Sequence, residues 1–208
     1  MPYTFKQALE RVTNQKAHGP SATFSVFHLV RALELIAEKK VGRSKLAEDL
    51  GIGEGAMRTI VGRLKEADLI STSKIGCSLT SKGLKLWEDY ESKVRKIEIC
   101  RSELGLGKHN FAILVRNGGA MIKSGIEQRD AAVVVGAKSA ITMMVKEDRL
   151  VIPSVSGNVS EDFPEAANQL LELLKPNEND AIVIASADTL EKAEYGALAA
   201  AWTLLDGY

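Results

Sequence analysis

The chain is poor in the residues that do chemistry at neutral pH. Its 208 residues include two cysteines, Cys77 and Cys100, and three histidines. The cysteines lie far apart, in no CxxC spacing and with no histidine near them in sequence. That pattern argues against a zinc site and against a disulfide framework, so both are read as reduced packing residues. Long apolar runs are missing too: none approaches the roughly 20 residues that cross a bilayer, and "MPYTFKQALERVTNQK" has no apolar core of signal-peptide type. A cytoplasmic protein without membrane contact is expected. The second half holds one histidine, His109, and no cysteine. There is no Walker A pattern, no metal-ligand spacing and no serine in nucleophile-elbow spacing. The expectation is a protein that is not an enzyme and uses neither cofactor nor metal.

Net charge is also lacking, with 27 Lys plus Arg against 27 Asp plus Glu. The balance hides an asymmetry. Up to Glu103 there are 18 basic and 13 acidic residues, net +5; beyond it there are 9 and 14, net −5. A phosphate backbone feels the local face within about a Debye length, roughly 8 to 10 Å, so a neutral total does not exclude a polyanionic partner.

What is present is an ordinary globular composition, 45% hydrophobic and 26% charged, in a chain long enough for two domains of about 100 residues. A first amphipathic segment carries Phe5, Ala8, Leu9 and Val12, and the Gly19-Pro20 pair ends it. "FSVFHLVRALELIAEKK" repeats Val26, Leu29, Val30, Leu33, Ile36 and Ala37 at helical spacing, with His28 at the edge of the stripe. "GRSKLAEDLGI" reads as a short helix with Ser44 as N-cap, Leu46, Ala47 and Leu50 inward, and Gly51 as the stop. "GIGEGAMRTIVGRLKEADLI" then turns at Gly51-Ile52-Gly53 and runs as a helix to about Ala67. Met57, Ile60, Val61 and Leu64 face inward; Glu54, Gly55, Arg58, Thr59, Gly62 and Arg63 face out. "LISTSKIGCSLTS" reads as a two-stranded hairpin with Lys74 near its tip. Helix, short helix, turn, helix, hairpin is the order of a winged helix.

From Ser81 to about Leu104 a long helix is expected, with Trp87, Tyr90, Val94, Ile97 and Leu104 as a seam that only Arg101 interrupts. Such a seam packs on its own domain or on a twin helix in a homodimer. "GLGKHN" breaks the periodicity, which gives domains 1–104 and 109–208. After it come a strand "FAILV", a mainly helical stretch "GGAMIKSGIEQRDAAVVVGA", strands "AITMMV" and "LVIP", a helix "FPEAANQLLELLK", a strand "AIVIAS" and a final helix "TLEKAEYGALAAAWTLL". Asp162 with Glu165 and Asp188 with Glu191 have capping-box spacing. The order β-α-β-β-α-β-α predicts a ferredoxin-like α/β sandwich with one added helix, and an α+β chain overall.

A helix of this kind fits the major groove of duplex DNA, where its N-terminal residues reach base edges. Arg58 is placed for the bidentate contact to guanine, with Thr59 beside it; Arg63, one turn later, suits a phosphate or the groove rim. Gly55 and Gly62 would let the backbone come close. Arg43, Lys45 and Lys74 are the expected phosphate contacts. The plainer alternatives are a solvated helix face, or an adaptor that docks a protein through the same module. In the second half, "VRNGGA" puts Arg116, Asn117, Gly118 and Gly119 between a strand and a helix start, where free N–H groups would hold an anion such as a small-molecule effector, with Arg129 adding charge. The alternative there is a tight turn. "PSVSGNVSED" reads as a lid or as a connection only.

On these residues the segment "KLAEDLGIGEGAMRTIVGRLKEADLISTSKIGCSLTSKG" resembles the DNA-binding part of winged-helix transcriptional regulators, including the way "LTSKG" closes the wing and opens the next helix. The resemblance covers roughly residues 24–90. With "IEQRDAAVVVGAKSAITMMV" downstream, the whole chain is similar to archaeal two-domain proteins assigned as regulators, whose C-terminal domain has no assigned role. The resemblance implies double-stranded DNA as a partner and no catalytic residues.

Overall fold

The computed structural model describes residues 3–14, 24–99, 103–105 and 107–205. The Gly19-Pro20 break, Cys100 and Arg101 lie outside the described residues. The chain divides into two compact units, Met1–Glu91 and Ser92–Tyr208. Cut there, the charge is 14 basic against 11 acidic in the first and 13 against 16 in the second, so the asymmetry persists at +3 and −3.

The first unit runs α1 (Phe5–Thr13), α2 (Val26–Glu38), α3 (Arg43–Asp49), α4 (Glu54–Glu66), β1 (Ile70–Ser73), β2 (Gly76–Leu79) and α5 (Ser81–Lys93). Its helix starts follow side-chain chemistry. Thr4 and Gln7 exchange hydrogen bonds across the first turn of α1. The Ser25 N–H donates to His28 Nδ1 at 3.0 Å, so His28 closes the cap of α2. Gly42, not Ser44, is the N-cap of α3, because the helix already begins at Arg43. Gly51 does stop α3: its φ is +62°, its N–H donates to Glu48 O, and Ile52 N–H donates to Ala47 O at 3.0 Å. This paired closure is the Schellman motif, and glycine carries its left-handed position without strain.

Leu29, Leu33 and Ile36 of α2, Leu46 of α3 and Met57, Ile60 and Leu64 of α4 are buried, while Val61 is half-buried. Phe5 of α1 stacks on Tyr90 at 4.4 Å and meets Trp87 edge-on at 5.9 Å. The hairpin has a third rung: Cys77 N–H donates to Val41 O at 2.8 Å and Val41 N–H to Cys77 O at 3.3 Å. Gly76, at φ +130°, sits where a Cβ would come 2.8 Å from the Val41 carbonyl, so this contact requires glycine. Cys77 is buried in the middle of it, and burial pushes its thiol above the usual range.

The "LTSKG" segment has a structural reason as well. Thr80 Oγ1 donates to Asp68 O and Lys82 Nζ to Ala67 O, both at 2.6 Å, and Thr80 N–H to Leu69 O at 3.1 Å. These donors satisfy the carbonyls left open where α4 ends, while Thr80 Oγ1 also accepts from Gly83 N–H at 3.0 Å and caps α5. A Cβ at Gly83 would overlap the Leu69 carbonyl oxygen.

The long helix expected to reach Leu104 ends at Lys93. Residues Val94–Ile99 form β3, which joins the second unit in antiparallel register, Val94 opposite Val115 and Ile99 opposite Asn110. Val94 and Ile97, three apart, fit a helix, while Ile97 and Ile99, two apart, fit one face of a strand; pairing decides for the strand, because it satisfies backbone groups along β4 that burial would otherwise leave open. The seam is therefore not available to a twin helix along its expected length.

The second unit continues with β4 (His109–Val115), a 3-10 turn (Gly118–Met121), α6 (Ile126–Val134), β5 (Ser139–Lys146), β6 (Arg149–Val151), α7 (Val159–Asp162), α8 (Pro164–Leu174), β7 (Ala181–Ala187) and α9 (Leu190–Trp202). The chain order matches expectation, but the sheet order is β3-β4-β7-β5-β6, antiparallel throughout. A ferredoxin-like sheet would set the third strand of that order, β6, between β4 and β5. β7 lies there instead, and three-residue β6 is left at the edge. β7 is buried along its whole length, as a central strand must be. Alternate residues Ala112, Leu114, Ile182 and Ile184 pack with Ala166, Ala167, Leu170 and Leu174 of α8. α9 covers β4 and β7, and its Gly196 allows it to lie close, since a Cβ there would come 2.6 Å from Ala137 Cβ. Neither expected capping box forms: Asp162 accepts from Ser156 Oγ, and Thr189 rather than Asp188 caps α9.

Candidate nucleic-acid interface

On α4, positions 55, 58, 59 and 62 share one face at helical spacing. Gly55, Arg58 and Thr59 are exposed and Gly62 is half-buried. Thr59 Oγ1 donates back to Gly55 O at 3.2 Å, which leaves its lone pairs free to accept. Among the described residues, no ion pair engages Arg58, Arg43 at the start of α3, or Lys74 at the hairpin tip, and all three are exposed. Lys45 differs, because it pairs with Asp49 at 2.9 Å and Glu48 at 3.0 Å; the hydrogen bond to Asp49, then that to Glu48, holds its ammonium above the usual lysine range. It carries its own counter-ions.

Four glycines border this surface. A Cβ added at Gly42, Gly53, Gly55 or Gly62 would meet nothing within 4 Å. Packing inside the unit therefore does not require them, in contrast to Gly76 and Gly83.

Arg63 does not belong to the outward face. Only 8% of it is exposed; its Nη1 donates to Thr13 O at 2.6 Å and Val12 O at 3.3 Å, and its guanidinium lies 5.3 Å from the Phe24 ring centroid. The open carbonyls at the C-terminus of α1 draw it inward. The helical pattern set Arg63 outward with Arg58 and Thr59, and the carbonyls of Val12 and Thr13, 51 and 50 residues earlier in the chain, turn it in instead.

The turn "VRNGGA" is likewise not an open anion site. Asp180, 2% exposed, occupies it: Arg116 pairs with its carboxylate, Asn117 N–H donates to Oδ1 at 2.9 Å and Asn177 N–H to Oδ2 at 2.7 Å. Gly119 N–H donates to Asn179 O at 2.8 Å. A Cβ at Gly118 would come 3.0 Å from Ala181 Cβ, and one at Gly119 2.8 Å from Asn179 O, so the glycine pair is there for packing. Arg129 is exposed and pairs with its neighbour Asp130. Sequence reasoning missed Asp180, and no local signal marks it: only the register, which sets Val115 opposite Ala181, brings an arginine just past β4 to an aspartate just before β7.

Among the described residues, no three His, Cys, Asp or Glu side chains are grouped to hold a metal ion, and no helix is long and apolar enough to cross a membrane. The chain is a mixed α+β protein of two units, a helical part followed by a five-stranded antiparallel sheet with helices. Residues 30–85 match the family model of the PH0730-like N-terminal domain, and residues 106–204 match a domain of unknown function, DUF4443. The chain is similar to a solved structure titled "Hypothetical protein PH0730 from Pyrococcus horikoshii OT3", at 28% identity and a TM-score of 0.68, over 87% of this chain and 92% of that one. No curated protein matches.

Proposed function

We propose that the chain is a DNA-binding transcriptional regulator whose first unit is a winged helix, with α4 entering the major groove and the β1–β2 hairpin as the wing. The observation that carries this reading is the set of exposed cations that form no ion pair among the described residues, Arg43 on α3, Arg58 on α4 and Lys74 at the hairpin tip, the two helices being bordered by glycines with open space before them. Arg58 reads a base edge; Arg43 and Lys74 hold phosphates. Gly55 and Gly62 each cost α4 up to about 1 kcal/mol relative to alanine, and close approach of the groove is what would offset that cost.

Purified protein should bind random-sequence duplex DNA with a steep salt dependence. Arg58→Ala should cost about 1 to 3 kcal/mol on the preferred duplex and relax its sequence preference. Affinity for the preferred duplex that does not move would take Arg58 out of the groove. A second reading, a protein-docking adaptor, draws support from Ile75, which stands 69% exposed at the hairpin tip. It predicts negligible duplex binding even at low salt.

A further inference from the structure

Arg63 is a buried cation that the DNA contacts do not use. Among the described residues it forms no ion pair; two backbone carbonyls and one aromatic face surround it. A hydrophobic side chain would serve simple core filling there at less desolvation cost. The guanidinium contributes direction: its Nη1 donates to both carbonyls from a rigid plane, an orientation that methionine cannot supply and the freely rotating lysine ammonium does not fix.

Its place on α4 matters. Met57, Ile60 and Leu64 hold the helix from beneath, and Arg63 grips it from the flank between that buried stripe and the face bearing Gly55, Arg58, Thr59 and Gly62. A buried stripe alone lets a helix roll slightly about its axis; a fixed point on one flank does not. Its anchor is the C-terminal end of α1, a helix seated by buried Leu9 and Val12 and, at its opposite end, by Phe5 against Trp87 and Tyr90. Resting on the DNA-binding reading, we propose that Arg63 is a positioning residue, which fixes the roll of α4 against α1 so that Arg58 meets a base edge at the correct angle. Bidentate recognition is demanding in angle, so loss of the grip reduces discrimination between sequences more than it reduces attraction to phosphates.

The test uses the full chain, a random-sequence duplex pool, and the duplex most enriched from that pool by the wild-type protein. Arg63→Met should lower the preference for the enriched duplex over the pool by about tenfold. The salt slope should stay as in wild type, because no phosphate contact is lost. Arg63→Lys, which keeps the charge and N–H donors but not the rigid plane, should lie between wild type and Arg63→Met and covers the case in which Arg63→Met does not fold; far-UV circular dichroism checks each variant. An unchanged preference in the folded variants overturns the proposal and leaves Arg63 a stability residue. A slope less steep by about 0.9 in Arg63→Met also overturns it, since Arg63 would then swing out to a phosphate. Wild-type protein that binds no duplex at all removes the DNA-binding reading, and the role of Arg63 with it.

Discussion

Arg58 on α4 and Arg116 after β4 stand in similar company, each beside glycines near the start of a helical segment, and they end differently. Arg58 is exposed and forms no ion pair among the described residues. Arg116 is bonded to a carboxylate 64 residues further on, and that carboxylate also takes two backbone N–H groups that an outside anion would need. The glycines divide the same way: at 55 and 62 a side chain would have open space, whereas at 118 and 119 it would meet neighbours. A cation with glycines is thus an invitation to an anion only where the fold has not already supplied one. Long-range register, not local motif, makes the difference.

The comparison breaks most sharply at Asp180. Asp180→Ala should destabilise the second unit by about 3 kcal/mol, measured as a shift in urea midpoint, because Arg116 and two N–H donors lose their partner. We take the lower end of the range for broken buried pairs because the Arg116 side chain is 22% exposed and partly screened. The variant also empties the turn. Added phosphate should then raise its melting temperature by more than the general stabilisation that phosphate also gives wild type; equal stabilisation of both would mean that the emptied turn takes no anion.

The glycines should respond with opposite signs. Gly119→Ala puts a methyl group against the Asn179 carbonyl, at a cost of about 1 to 3 kcal/mol. Gly62→Ala meets nothing and should stabilise the first unit by up to about 1 kcal/mol while weakening duplex binding. A stabilised protein with full DNA affinity would mean that no groove approaches α4 at that point. Cations can be compared in the same way. Lys74→Ala should make the salt slope of duplex binding less steep by about 0.9. Lys45→Ala should change it less, because Asp49 and Glu48 already stand against that charge.

Much of the fold was legible because the apolar periodicities were clean. "FAILV", "AITMMV" and "AIVIAS" are strands, the α2 and α4 stripes are buried apart from half-buried Val26, Ala37 and Val61, and Gly51 ends α3 where a left-handed residue was needed. The strand at Val94–Ile99 was not legible, since Val94 and Ile97 keep the helical spacing of the seam while Ile97 and Ile99 keep a strand's, and only β4 could choose between them. Nor was the place of β7, because chain order says nothing about which strand is inserted between two others. Of the candidate interface, the exposed set Arg43, Gly55, Arg58, Thr59 and Lys74 could be read from the helix and hairpin pattern. Arg63 and Lys45 could not: the first turns in toward carbonyls 50 and 51 residues away, and the second is held by carboxylates on its own helix whose rotamers a pattern does not show.

The smallest expected effect is on the surface pair of Asp188 and Lys138, the exposed counterpart of the buried Asp180 pair. Lys138 Nζ lies 2.6 Å from Asp188 Oδ1, with both side chains more than half exposed. That hydrogen bond holds the carboxyl below its usual range, helped by the charges of Lys138, Lys108 and Lys192. A depressed folded value means that the native state binds the proton less readily than the unfolded chain. The pair's contribution is therefore present above the unfolded value of about 3.9 and is lost as pH falls through the lower folded value. Asp188→Asn does not remove a helix cap, because Thr189 caps α9. At neutral pH and low salt the variant should have a slightly lower urea midpoint than wild type, and the two midpoints should converge as the pH falls below the lowered folded value and Asp188 is protonated in both states. They should also converge in about 1 M salt, where the Debye length is roughly 3 Å. A gap that survives both acid and salt would mean that Asp188 acts through packing rather than charge, and the parallel with Asp180 would then be one of residue type only.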